Sequence, residues 1–346
     1  GAVTLTVAAG SYTDTVYLPA ITGASMTNTI TFDGVDSATT SLSYNSSAVV
    51  QKAVILMDGA DYVSFKNLTI SHSGTTDAWG IRMQNDNDNF SVDACHFDMA
   101  VVSSTSADVT AIGGVGSATS SFTETDAGDN ISISNSVFHD GQYGVHFETL
   151  AYADTGISVT NCEFLNNYYR GYMSDNVRNQ TINDCKFTEA AYGFHYSIAL
   201  YDALDFEVNR NEIYSSYYGI YISDGNFNAD GTPSGTSNIT NNMVVVSSGG
   251  QEALYADDFE SCNVFYNTFV TNGTSTGAYG AYFNDFYNVD VRNNVFYGSS
   301  NYAVYFSDNT VTAGTSNGVI TVDYNGYYTS GGANIEIGRA SCRERV

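Results

Sequence analysis

The chain has 346 residues, 37 of them acidic and 11 basic, for a formal net charge of −26, and 43% are hydrophobic. That apolar share supports a packed core and excludes a disordered chain, while the charge excludes nucleic acid and anionic membrane surfaces, both of which attract basic faces. With 27 tyrosines, 32 glycines and two prolines, the chain reads as many short strands joined by tight turns, and no apolar run approaches the roughly 18 residues of a membrane-inserted span.

The first strands are expected around TLTV (residues 4–7), TVYL (15–18) and TITF (29–32). A repeat then takes over. SFKNLTI, SVDACHF, SISNSVF, SVTNCEF, TINDCKF, EVNRNEI, NITNNMV, NVFYNTF, DVRNNVF and TVDYNGY end on Ile70, Phe97, Phe138, Phe164, Phe187, Ile213, Val244, Phe269, Phe296 and Tyr327. The spacing varies, and the extra residues fall in polar stretches such as SATSSFTETDAGD. Two residues before each of these ends lies a column of Leu68, Cys95, Ser136, Cys162, Cys185, Asn211, Asn242, Asn267, Asn294 and Asn325. Side-chain amides stacked one above another hydrogen-bond along a ladder, and Asn accepts the backbone angles of a tight bend. The column therefore reads as a buried corner in which Cys95, Cys162 and Cys185 are small, free thiols. Cys162 and Cys185 fall on adjacent coils within disulfide reach, but parallel stacked side chains do not readily converge.

A third column starts on a small residue: WGIRM, YGVHF, RGYMS, YGFHY, YGIYI, EALYA, YGAYF and YAVYF. Alternation turns Ile81, Val145, Phe194, Ile220, Leu254, Ala281 and Val304 inward, followed two residues on by Met83, Phe147, Tyr196, Ile222, Phe283 and Phe306. One repeat cannot bury such a face alone, but stacked repeats close a continuous core. The fold is thus all-β, a parallel β-helix of about 12 coils over residues 1–335. EIGRASCRERV (336–346) breaks the pattern, and residues 337–346 resemble the in-frame translation of a sequencing adapter; they are set aside as an artefactual tail. Starting at Gly1 without Met, the chain reads as one segment of a longer protein, continuing into the rest of the polypeptide at both ends.

The asparagine column between two strands resembles the asparagine ladder of the pectate-lyase-like right-handed parallel β-helix family. The resemblance covers nearly all of residues 1–335 and implies a single-stranded, right-handed solenoid. AAGSYTDTVYLPAITGASMTNTITFDG and MDGADYVSFKNLTI are similar to openings of β-helix regions in large secreted Bacteroidota surface proteins, which implies an extracellular or cell-surface setting. The local signatures of catalytic families on this fold find only faint echoes in YADD (Tyr255 to Asp258) and YGVHF (Tyr143 to Phe147).

On the outward face, YISD, YADD, YFND and YFSD stack Tyr221, Tyr255, Tyr282 and Tyr305 in one stripe and Asp224, Asp258, Asp285 and Asp308 in another. The tyrosines read either as a sugar-stacking platform, with Gly219, Ala253, Gly280 and Ala303 opening a trough beside it, or as rings that merely stabilise the sheet. The aspartates repel one another and must splay into water, take up protons or bind cations. Calcium is the cation reading, with a second candidate in DGNFNADG, where Asp224, Asn226, Asn228 and Asp230 alternate oxygen ligands with spacers.

The best catalytic candidates are His146 and His195, outward with Met173 between them, and Glu148, Asp175 and Arg170 beside them. Glu148 and Asp175 align on adjacent coils, a separation that suits a retaining glycosidase, and Arg170 beside an acidic groove suits a lyase. An ordinary polar surface explains the same residues. The leading expectation is a non-catalytic surface or adhesion module that engages polysaccharide. A polysaccharide lyase or glycoside hydrolase acting on acidic glycans is the competing class, and a purely structural spacer the third.

Overall fold

The computed structural model describes residues 1–45, 52–150, 152, 154–188, 195–226, 235–247, 249–274, 278–299, 302–307, 320–330 and 336–337. Strands and turns make up the described residues, with no helix among them, in about 11 turns of a parallel β-solenoid, where the repeat led to an expectation of about 12, with the right hand that the resemblance implied. Two compact units divide the chain, Gly1–Arg178 and Asn179–Val346.

In the first unit, strands Gly10–Thr13, Thr40–Tyr44, Thr69–His72, His96–Met99, Val137–His139 and Glu163–Leu165 run parallel in one sheet. Their register places Leu42, Ile70, Phe97, Phe138 and Phe164 directly above one another. The rings stack face to face, Phe97 on Phe138 at 5.0 Å and Phe138 on Phe164 at 4.8 Å. In the second unit, strands Lys186–Thr188, Glu212–Ser215, Met243–Val246, Thr268–Thr271, Val295–Gly298 and Gly326–Thr329 do the same with Phe187, Ile213, Val244, Phe269, Phe296 and Tyr327. The repeat column read from the sequence is thus in register throughout both units. Each buried ring or aliphatic group in it contributes about 1.5–3 kcal/mol.

The asparagine column forms the expected ladder. In the second unit the Asn242 amide nitrogen donates to Asn267 Oδ1 at 2.9 Å and to the Val208 carbonyl at 2.9 Å, and the Asn242 backbone N–H donates to the same Oδ1. Asn211, Asn267 and Asn294 repeat this pattern toward Asn242, Asn294 and Asn325. In the first unit Ser136 and the thiols hold the corner: the Cys95 N–H donates to Ser136 Oγ, and the Cys95 and Cys162 thiols reach the Phe65 and Ile133 carbonyls. Cys95, Cys162, Cys185 and Cys262 are all buried thiols.

The bend itself belongs to a different column. Left-handed backbone angles sit one residue earlier, at Asn67, Ala94, Asn135, Asn161, Asp184, Arg210, Asn241, Tyr266, Asn293 and Tyr324, with φ between 50° and 60°. The ladder residue is therefore selected for its hydrogen bonds alone, not for the bend expected of it.

Aspartates build a second ladder in the first unit. Asp61 Oδ1 accepts from the Asp88 N–H, Asp88 Oδ1 from the Asp129 N–H and Asp129 Oδ1 from the Thr155 N–H, at 2.7–2.9 Å. Part of the acidic excess is thus engaged by backbone donors.

In the first unit the inward column of the other sheet runs Ile81, Ile112, Val145, Tyr172. In the second unit it runs Ile198, Ile220, Leu254, Ala281, Val304. One rung differs from the sequence reading: Ile198 and Leu200, four residues past Phe194 and Tyr196, face Ile220 and Ile222. SIALY alternates as well as YGFHY does and offers purely aliphatic inward groups; Phe194 itself lies outside the described residues. At the chain's end, Glu336 and Ile337 pair with Tyr305 and Phe306, and residues 338–346 lie outside the described residues.

Replacing Asn242 by Ala should strand two donors of Asn211 and the Val208 carbonyl in the interior, costing about 2–4 kcal/mol, whereas Asn242→Ser, the group used at Ser136, should cost roughly half as much. Urea unfolding midpoints of the two variants check this; equal losses would show that volume, not hydrogen bonding, matters at the corner.

Candidate functional site

In the second unit, strands Tyr218–Ser223, Leu254–Phe265, Ala281–Arg292 and Val304–Ser307 bring Tyr221, Tyr255, Tyr282 and Tyr305 into one row, as expected. Their rings stack at 4.7, 5.2 and 5.6 Å, within 21° of parallel. The ring of Tyr196, whose backbone stands opposite Tyr218, stacks on Tyr221 at 5.1 Å. Within the row each ring covers the next, so Tyr221, Tyr255 and Tyr282 present edges and hydroxyls to solvent. Burial, and then the charge of Asp257, raises the phenols of Tyr255 and Tyr282, which keeps their O–H groups as donors at neutral pH.

The small residues beside the row open no trough. Gly219, Ala253, Gly280 and Ala303 are buried, and a Cβ on Gly219 would lie 2.2 Å from Val244 Cγ1. Smallness there serves close packing at the corner. What stands beside the tyrosines is a column missed in the sequence: Ser223, Asp257, Asn284 and Ser307, paired rung to rung. Two residues after each tyrosine, these share its face. Tyr255 Oη donates to Asp257 Oδ2 at 3.4 Å, and Asn284 Nδ2 donates to Asp257 Oδ1 at 2.6 Å. Period-two alternation carried this signal, in the third letter of YISD, YADD, YFND and YFSD.

The aspartates one residue further on, Asp224, Asp258 and Asp285, occupy left-handed turn positions with φ of 43–55°, where Asp and Asn are among the tolerated residues. Burial, then Asp224, Asp257 and Asp285, pushes the Asp258 carboxyl up to about 6. The repulsion expected of this stripe raises the affinity of Asp258 for a proton, which it takes up only as pH falls through about 6. In the DGNFNADG segment, Asn226 is buried with its amide engaged: Oδ1 accepts from the Asp205 N–H, and Nδ2 donates to the Gly235 and Ser261 carbonyls. Its side chain ties loops together and offers no oxygen to calcium. Asn228, Asp230 and Asp308 lie outside the described residues.

In the first unit, strands Tyr143–Glu148 and Arg170–Asp175 bring together His146, Glu148, Met173, Asp175 and Arg170, with Glu148 opposite Asp175 as the sequence implied. His146 Nε2 is 3.3 Å from Glu148 Oε2. Glu148 and Asp175 are half-buried, but the other three are not on the surface. His146 is 0% exposed, Met173 4% and Arg170 5%. Residues 115–125 fold over this face: Phe122 meets the His146 ring edge-on, Trp79 Nε1 donates to the Ala118 carbonyl, and the Thr125 N–H donates to the Glu148 carbonyl. Gly113 is required beneath this cover, because a Cβ there would lie 2.6 Å from the Trp79 ring. Tyr143 stacks on His146 at 4.5 Å, Arg170 donates to Met173 Sδ and to Tyr169 Oη, and burial holds the His146 imidazole below its usual pKa. His195, expected outward in the second unit, is fully buried ahead of strand Tyr196–Tyr201. The outward place in its rung belongs to Ala199, opposite Tyr221.

A group the sequence reading missed lies on the other sheet of the first unit. His96 and Asp98 share one face of strand His96–Met99, and His139 stands opposite Asp98. Their potential ligand atoms all lie within 4.8 Å of one another. Alternation had placed Phe97 and Phe138 inward, so the flanking letters of CHFD and VFHD were its signal. A cleft of about 330 Å³ opens beside it, lined by Tyr44, Ser71, His72, Asp98 and Met99 among others.

A family model described as periplasmic copper-binding protein (NosD) matches residues 83–276. Among solved structures, bacteriophage CBA120 tailspike protein 3 is similar at a TM-score of 0.58 and 12% identity, over 97% of this chain and 48% of that one. The Dettilon tailspike protein gives 0.56 and 13%, over 94% and 62%. The Streptococcus pneumoniae surface protein and adhesin PfbA gives 0.52 and 12%, over 94% and 90%. The chain thus spans about half to two thirds of the tailspikes, and at these identities the likeness is one of fold. No curated protein matches the chain.

One buried acid bears on the tyrosine row. Glu252, 5% exposed and in contact with Tyr218, has its carboxyl pushed up to about 8 by burial, against the hydrogen bonds it receives from its own backbone and from Tyr218. The folded state therefore holds this proton more tightly than the unfolded chain. Its contribution to stability is complete below the ordinary Glu range and is lost as pH rises through about 8. Glu252→Gln removes the charge and keeps the shape. It should raise the melting temperature by about 5 °C at pH 9 and change it little at pH 4; a pH-independent shift would place the effect in packing instead.

Proposed function

The chain belongs to the family of the periplasmic copper-binding protein NosD, and from that footing we propose that it works outside the cytoplasm as a β-helix surface that holds polysaccharide without turning it over. The tyrosine row of the second unit is its contact face. The observation that carries this reading is the pairing of four stacked tyrosines with Ser223, Asp257, Asn284 and Ser307 on the same face. Polysaccharides offer dense hydroxyls on a stiff, repeating chain. A rigid repeat of phenol, amide, carboxylate and hydroxyl groups meets such a chain at intervals of about 5 Å, one rung at a time. Because each ring covers the next, the contact runs through ring edges and hydroxyls, not through sugars laid on open ring faces. The Streptococcus pneumoniae protein that shares the fold is a surface protein and adhesin, which supports this reading.

The competing class, a lyase or hydrolase using Glu148, Asp175, His146, His195 and Arg170, would need those groups at a surface that a chain of sugars can reach, and the histidines and Arg170 are buried. Calcium on Asp258 and Asp285 would add a bridge to acidic glycans beside the same face, and a spacer with no ligand is the remaining reading.

Affinity electrophoresis of the full chain through a panel of acidic and neutral polysaccharides, with and without calcium, separates these readings. Retardation by at least one polysaccharide is expected, and Tyr255→Phe combined with Tyr282→Phe, which keeps the stack and removes two hydroxyls, should weaken it about 10-fold or more. Retention unchanged in that variant would remove the hydroxyl row from the contact. New reducing ends or unsaturated products would replace the binding reading with an enzymatic one.

A further inference from the structure

We infer that the first-unit cleft lined by Ser71, His72 and Asp98 is a binding site for a small neutral sugar. It is built across four consecutive rungs. The register Thr13↔Ser43, Ser43↔Ser71 and Ser71↔Asp98 stacks one column of polar side chains, and Tyr44↔His72 and His72↔Met99 set a second column beside it. The inward neighbours Ile70 and Phe97 are fully buried, so the solenoid itself holds the wall of the cleft in place before any ligand arrives. No residue of the tyrosine row takes part, and the site stands whether or not that row holds polysaccharide.

His72 sets the chemistry. It is 1% exposed, and its Nδ1 accepts from the Gly74 N–H at 2.9 Å. Burial holds the ring below its usual pKa, and a neutral imidazole that accepts at one nitrogen carries its proton on the other. Nε2 is therefore an N–H donor, and it is shielded from solvent with no hydrogen-bond partner. An unmatched buried donor costs free energy, and a hydroxyl oxygen pressed against this wall of the cleft satisfies it. Tyr44 meets the His72 ring edge-on at 5.8 Å and holds it in that pose.

The rest of the lining selects the ligand class. Thr13, Ser43, Ser71 and Ser73 offer hydroxyls and Asn45 an amide, groups that both donate and accept, as sugar hydroxyls do. Met99, Ala100 and the Tyr44 ring supply apolar surface for a sugar's C–H face. Asp98 has a side chain 56% exposed, with Oδ1 at 3.2 Å from His139 Nδ1, and it accepts from hydroxyls while repelling anions. No lysine or arginine stands among the described lining residues to receive a carboxylate or phosphate. A metal ion is disfavoured as well, because His72 presents a proton and not a lone pair. The volume of about 330 Å³ lies at the small end of ligand sites, so the occupant is one or two sugar residues and not a length of glycan.

The test isotope-labels the imidazole nitrogens of the five histidines in the full chain. Glucose, galactose, mannose and N-acetylglucosamine are titrated in turn, with glucuronate as the charged control. The His72 resonance, identified by its loss in His72→Gln, should show a neutral ring protonated at Nε2 and should shift saturably with at least one neutral sugar. Glucuronate should bind about 10-fold more weakly or worse. By calorimetry, Ser71→Phe should abolish binding by filling the cleft, and Asp98→Asn should weaken it about 10-fold. Ser71 and Asp98 face outward, so both variants should melt with the parent. A His72 resonance that stays still across the panel, or sugar binding that survives Ser71→Phe, would overturn the site, and glucuronate binding as tightly as the neutral sugars would overturn its selectivity. A still His72 with polysaccharide still retarded would sink the cleft and leave the tyrosine row standing; the reverse pair of results would do the opposite.

Discussion

A coil of parallel β-structure has no hydrogen-bond partner within itself. Every strand here pairs with the equivalent strand one coil before or after, so each residue stands on its counterpart, and the chemistry of a position becomes the chemistry of a column. This single constraint accounts for the composition. Phenylalanines stack because a ring's best neighbour across a rung is another ring in the same pose. Asparagines stack because an amide carries both a donor and an acceptor and can pass a hydrogen bond along the column indefinitely.

The same constraint makes acids awkward. A carboxylate can accept but not donate, so an aspartate column persists only where backbone N–H groups face it, as at Asp61, Asp88 and Asp129, or where protons are retained. Burial pushes Asp154 and Glu252 up to about 8, above neutrality. A net charge of −26 therefore overstates the negative field that the folded protein carries near neutrality. It also weakens any argument from composition to cation binding, since several of these acids are engaged by backbone donors or by protons.

What could be read from the sequence divides along the same line. Columns that face inward were legible, because only one register buries Ile70, Phe97 and Phe138 together, and the asparagine corner two residues before Ile213, Val244 and Phe269 marks the same register in the second unit. Outward columns were not. Alternation says which side of a strand a residue takes, but not whether another segment covers that side. Residues 115–125 lie over His146, and nothing in YGVHF announces it. The strand at SIALY shows the second weakness: a shift by four residues preserves alternation, so it moves His195 out of the expected row without violating any local rule. The His96–Asp98–His139 group was legible in principle, since it lies in the two repeats that define the column. Its residues are neighbours across rungs while His139 stands more than 40 residues from Asp98 along the chain, so spacing along the chain does not announce it.

Stacking also limits what a column can bind. A ring committed on both faces to its neighbours cannot offer either face to a ligand, so the more regular the tyrosine row becomes, the less it resembles the open aromatic platform that the sequence suggested. What regularity offers instead is spacing. Hydroxyls and side-chain oxygens recur once per rung on a backbone that cannot adjust its pitch, and a ligand must either match that pitch or bind at one rung only. The His96–Asp98–His139 group escapes this limit because it spans only two neighbouring rungs and interrupts no ladder. In a solenoid, repeating chemistry is built by columns, and local chemistry by substitutions confined to a rung or two.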